Sequence, residues 1–152
     1  MSSFSSSHSL RLSSYGFDIF HSNVSHSGNP NLWCISKSSH HFTTSIFDSS
    51  SQHLTMLLSN PTLGSSTLIT GVYGSDNPTL RRDLWKVLID SSLTTLPWCV
   101  LGDFNAILSN AEKLNLRQSN PSSRKDFQSV VMQAGRLDIN FSGNKFTWSN
   151  NR

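Results

Sequence analysis

The chain has 152 residues, enough for one domain of ordinary size with its own core. Charged residues make up 14% of it, against roughly 25% in a typical soluble domain, and Ser, Thr and Asn fill the difference. A formal net charge of +3 and a pI near 9.1 admit a polyanionic partner such as nucleic acid, but the basic residues are too thinly spread for a polycationic arm. No apolar run approaches the ~18 residues of a membrane-spanning helix, which excludes that class of partner.

Cys34 and Cys99 stand alone, without CxxC or Cys/His ligand spacing. They read as buried thiols of a reducing compartment, nucleus or cytoplasm in preference to secretion.

Met1 to Phe17 holds eight serines and Arg11, with no acidic residue before Asp18. Residues 1–15 read as a Ser-rich disordered leader, with an organelle transit peptide as the alternative. Up to about Ser50 the sequence is Ser-, His- and Asn-rich, with short apolar islands at Gly16 to Phe20 and Asn31 to Ser36. Phe42 to Phe47 has strand composition, and Gln52 to Ser59 alternates with Leu54, Met56 and Leu58 on one face. Asn60-Pro61-Thr62-Leu63-Gly64 supplies turn residues, and Thr67 to Tyr73 resumes as a Thr/Ile/Val-rich strand, so an antiparallel pair is expected.

From Asn77 the period becomes helical. Pro78 sits near the first helical position, Asn77 or Ser75 serves as cap, and Leu80, Leu84, Val87 and Leu88 form an apolar stripe running to about Ser92. Arg81, Arg82 and Asp83 are then expected in solvent. Trp98 to Leu101 after Pro97 reads as a buried central strand closed by Gly102. Ser109 to Ser122 is a polar loop. A second helix is expected over Ser123 to Ala134, with Phe127, Val130, Val131 and Ala134 inward and Gly135 as its stop. Lys145 to Ser149 is a last short strand.

The chemistry concentrates in Gly102-Asp103-Phe104-Asn105. In an extended segment alternate side chains share a face, which sets Asp103 and Asn105 side by side and turns Phe104 into the core. A carboxylate can orient or deprotonate water, and an amide can bond a nucleophile or a phosphate oxygen. The same residues also suit a plain turn in which Asp and Asn bond their own backbone.

Neighbouring motifs weigh on that choice. The tetrapeptide follows Trp98-Cys99-Val100-Leu101 and lies downstream of Ile69-Thr70-Gly71-Val72-Tyr73-Gly74-Ser75 and Arg81-Arg82-Asp83-Leu84-Trp85. It precedes Glu112-Lys113, Gly135-Arg136-Leu137-Asp138-Ile139 and Phe141-Ser142-Gly143-Asn144-Lys145-Phe146-Thr147-Trp148-Ser149-Asn150. In this order the motifs resemble the endonuclease/exonuclease/phosphatase superfamily, the DNase I-like fold, and most of all the endonuclease domain of plant LINE-type non-LTR retrotransposons. The resemblance is best over residues 66–150 of a partial domain spanning 16–152.

It implies an α/β fold of the α+β type: part of a four-layer α/β/β/α sandwich with a mainly antiparallel or mixed sheet and flanking helices. It also implies Mg2+-dependent hydrolysis of DNA phosphodiester bonds. Asp103 corresponds to the family's catalytic aspartate, Asn105 to its active-site partner and Tyr73 to the tyrosine that reaches the scissile phosphate. Thr147 and Trp148 match an element beside the nucleic-acid groove, although Trp148 also suits a core aromatic.

Other family positions are not matched. The superfamily holds its metal with an early glutamate and hydrolyses with a late histidine. Here the one glutamate is Glu112, after the tetrapeptide, and all six histidines lie at or before His53. The expectation is therefore a domain truncated at both ends, with no specifically bound metal and negligible nuclease activity. The alternatives are a remnant that binds nucleic acid without cutting it, and a piece of a longer active polyprotein. An incomplete sandwich is also expected to self-associate through an uncovered sheet face.

Overall fold

A computed structural model describes residues 11–17, 19–23, 30–37, 41–113, 121–136, 138–139 and 142–143. The fold is mixed α/β. Strand β1 (Ile19–Ser22) pairs antiparallel with β2 (Trp33–Ser36), and a four-stranded sheet has the order β3 (Thr43–Ser49), β4 (His53–Asn60), β5 (Ser65–Tyr73), β6 (Trp98–Asp103). Helix α1 (Pro78–Ser91) links β5 to β6, and α2 (Pro121–Gln133) follows. The strands β3, β4 and β5 are antiparallel neighbours, whereas β6 runs parallel to β5. Parallel pairing requires a crossover, which α1 provides.

The expected hairpin forms from β4 and β5, with Met56 opposite Ile69 and Asn60 opposite Ser65. Its turn is closed by the Asn60 side chain, whose Oδ1 accepts from the Thr62 and Leu63 amides, and by Gly64 at φ 60°. Both faces of β4 are covered at its start, so His53 and Thr55 are buried as well as Leu54 and Met56. Val72 packs with both helices on one face, while β2 lies beside β4.

Helix α1 starts where the caps place it. Asn77 Oδ1 accepts from the Thr79 amide at 2.9 Å, and Pro78 takes the first helical position. Leu84 and Leu88 of the expected stripe are buried, but Arg81 and Trp85 complete it in place of Leu80, which is 52% exposed, and Val87, which is half-buried. The reason is Trp85, whose indole stacks on Phe127 at 5.0 Å and on Phe104 at 6.5 Å, while Phe104 and Phe127 lie 5.0 Å apart. Each such ring pair contributes about 1 kcal/mol beyond burial, enough to set the rotation of an amphipathic helix. Phe104 therefore turns inward as expected.

The helix α2 begins two residues early, at Pro121, and runs to Gln133, with Gly135 at φ 59° just beyond it. Phe127, Val130 and Ala134 are buried and Val131 packs against them. The polar segment before it is not wholly loop. Asn110–Glu112 forms a 3-10 turn in which the Glu112 carboxylate accepts from the Ser109 amide at 2.7 Å. Cys34 and Cys99 are free and only half-buried, because each strand that carries one is incompletely covered.

Two further expectations need correction. Strand β6 continues through Gly102 to Asp103, and it is an edge strand among the described residues, with Leu101 53% exposed. Gly102 does not close the strand because its φ of 132° keeps the pairing with Val72. The expected strand at Lys145 to Ser149 lies outside the described residues, as does the leader up to residue 10.

Candidate active site

Tyr73 and Asp103 are register partners at the C-terminal ends of the parallel strands β5 and β6. Loops leaving such strand ends form the crevice where open α/β sheets commonly bind ligands. Two bonds lock the loops together: the Gly74 amide donates to the Asp103 carbonyl at 2.7 Å, and Asn105 Nδ2 donates to the Gly74 carbonyl at 2.7 Å. Glycine is required at both contact points. A Cβ on Gly74 would lie 2.7 Å from the Phe104 carbonyl oxygen, and one on Gly102 would lie 2.1 Å from that of Val72.

The backbone folds differently at Asn105 from a continued strand. Its φ is 47°, in the left-handed region that asparagine tolerates better than most residues, so strict alternation stops at Phe104. Asp103 and Asn105 are instead coupled directly, since Asp103 Oδ1 accepts from the Asn105 amide at 2.9 Å. Of the two readings of the tetrapeptide, the turn is the one the backbone forms. An Asp-Asn turn is built, and it sits at a strand end beside Tyr73. The Asp103 side chain remains exposed and Tyr73 is half-buried. Thr147 and Trp148 lie outside the described residues.

Arg81, expected in solvent, is instead 2% exposed and braces the site from beneath. Its guanidinium donates to the Ser75 carbonyl and to Ser123 Oγ, both at 2.5 Å, and lies 5.8 Å from the Trp85 ring. Burial lowers its pKa, and the carboxylates of Asp76, Asp126 and Asp103 act against that shift. Gln52 adds a second brace, accepting from the Ser75 amide at 2.7 Å and donating to the Leu80 carbonyl at 2.9 Å. Neither role carries a local sequence signal, because each partner is more than five residues away.

Asp103 and Glu112 line the same cleft, and both have carboxylate oxygens already engaged. Asp103 offers one carboxylate with one oxygen already engaged. Both oxygens of Glu112 accept from the Leu108 and Ser109 amides. Among the described residues no group of three or more His, Cys, Asp or Glu side chains gathers to hold a metal. A cleft of about 660 Å³ runs along β6 toward α2, lined by Val100, Phe104, Phe127, Val131 and, at one end, Asp103. Among the described residues no helix is long and apolar enough to cross a membrane. No family model matches the chain, and no curated protein matches it.

Proposed function

We propose that the chain derives from a metal-dependent endonuclease/exonuclease/phosphatase domain of the retroelement type, and that it does not by itself cut DNA. The reading rests on one arrangement: Tyr73 and Asp103 side by side at parallel strand ends, with Asn105 clamped to Gly74. That arrangement suits a phosphate-facing rim, in which the tyrosine and the amide contact phosphate oxygens and the carboxylate orients the nucleophile. The finer architecture, a four-layer sandwich, belongs to the same proposal. Inactivity is part of the same proposal. What supports it is that, among the described residues, no group of three or more His, Cys, Asp or Glu side chains gathers to hold a Lewis acid.

Members of one catalytic unit fail together, so partial retention gives no partial rate. Purified chain incubated with supercoiled plasmid and magnesium is expected to leave it intact, as is the Asp103→Ala variant. Nicking by the parent chain that Asp103→Ala abolishes would overturn the inactivity.

DNA as a partner is part of this proposal. Arg81 is withdrawn from phosphate contact by its burial, leaving exposed residues such as Arg82 and Lys125 to supply charge. Any DNA affinity is therefore expected to be weak and to fall steeply with salt in a fluorescence-anisotropy titration.

A further inference from the structure

The turn between β3 and β4 holds a hydrogen-bonded chain of three side chains that the phosphate-facing rim does not use. His53 Nε2 lies 3.0 Å from Asp48 Oδ2, and His53 Nδ1 lies 2.7 Å from Ser50 Oγ. Proton positions follow by elimination. A carboxylate oxygen only accepts, so Nε2 carries a hydrogen; in the neutral imidazole Nδ1 then presents its lone pair, which accepts from the Ser50 hydroxyl. The Gln52 amide donates to the same Oγ at 3.1 Å. The hydroxyl thus points its proton at a base, while the Gln52 N–H closes the turn on the same oxygen.

The backbone is shaped to bring this about. The β3–β4 register pairs Ile46 with Met56, then shifts by one so that Asp48 pairs with Thr55. Unshifted pairing would set Asp48 opposite Leu54, on the other face of the sheet. The bulge instead places the carboxylate on the face shared by Thr55 and His53, and Phe47 is left 60% exposed. The turn is also pinned from outside. Asn23 Nδ2 donates to the Ser50 carbonyl at 2.8 Å, and Asn31 Nδ2 donates to the Ser51 carbonyl at 3.1 Å. His53 is 1% exposed, which shields the base from water, while Asp48 is 53% exposed and Ser50 half-buried.

A buried imidazole held between a carboxylate and a hydroxyl is the arrangement that activates a serine. We propose that Ser50 is an activated nucleophile, with His53 as its general base and Asp48 as the positioning residue, which takes up a group from an activated ester-type electrophile. With an alkyl fluorophosphonate, Ser50 Oγ attacks phosphorus and the Oγ–P bond forms. The P–F bond breaks and fluoride leaves with the electron pair. The hydroxyl proton passes to His53 Nδ1, and the imidazolium gives up its Nε2 proton to solvent by way of the exposed Asp48 carboxylate. Asp48 stabilises the imidazolium in between.

The test is labelling of the full chain with an alkyl fluorophosphonate, followed by peptide mapping in a mass spectrometer. Ser50 is expected to react about 10²-fold faster than the other serines, the low end of what a positioned general base contributes. His53→Gln should remove that advantage. Asp48→Asn keeps an acceptor for the imidazole N–H at an exposed position, so the turn is retained while the imidazolium loses its counter-charge. Its labelling should fall at least several-fold. Reaction of Ser50 at the rate of the other serines, or at an unchanged rate in Asp48→Asn and His53→Gln, would reduce the cluster to a turn clip and overturn the proposal.

Discussion

Arg81 is an arginine buried in a helix face otherwise made of Leu84, Trp85 and Leu88. Its two strong bonds to the Ser75 carbonyl and Ser123 Oγ tie the loop after β5 to α2, so one side chain links the candidate site to the second helix. Arg81→Ala removes both bonds and the packing on Trp85, with an expected loss of about 3 kcal/mol in urea denaturation. Arg81→Lys should restore little of it, because an ammonium does not span two diverging acceptors as a planar fork does. A loss below about 1 kcal/mol would mean the residue is solvated after all.

Cys34 makes a second case at this scale. Burial raises its thiol pKa, so the folded state favours the neutral form. The stability this implies is present below the unfolded thiol pKa and is lost as pH rises through the higher folded value. Alkylation by iodoacetamide at pH 8 is expected to be several-fold slower in the folded chain than in urea, and equal rates would contradict the shift.

At the scale of elements, Gly102 holds β6 to β5. Its φ of 132° and the 2.1 Å approach of a Cβ to the Val72 carbonyl oxygen leave no room for a side chain. Gly102→Ala is expected to destabilise the chain by on the order of 4 kcal/mol and to displace the Asp103–Asn105 loop, checked by denaturation and by circular dichroism. Gly64→Ala, at a turn with nothing within 4 Å of the added Cβ, should lose much less.

The elements legible in the sequence are those governed by near neighbours. Asn77-Pro78 starts α1, Gly135 stops α2, and Asn60 with Gly64 closes the β4–β5 turn, each through contacts spanning a few residues. The illegible features depend on distant partners. The rotation of α1 needs Phe104 and Phe127, and the edge position of β6 needs the rest of the sheet. The site was half legible for the same reason. Asp103 and Asn105 adjoin in sequence, but their clamp on Gly74 crosses 31 positions.

At the scale of the whole molecule, the four-stranded sheet ends in β3 on one side and β6 on the other among the described residues. Both edges carry apolar side chains in solvent: Ile46 is 46% exposed, Phe47 60% and Leu101 53%. Unpaired strand edges with apolar neighbours are templates for further pairing, and the bulge together with Asp48 blunts only the end of β3. The chain is therefore expected to self-associate with rising concentration in light scattering, and Ile46→Lys with Leu101→Lys should restore the monomer while leaving the fold intact. Salt separates this association from any binding to nucleic acid. Contacts through apolar edges hold or strengthen as ionic strength rises, whereas phosphate contacts weaken. Association abolished by moderate salt would place its origin in charge and not in the open edges of the sheet.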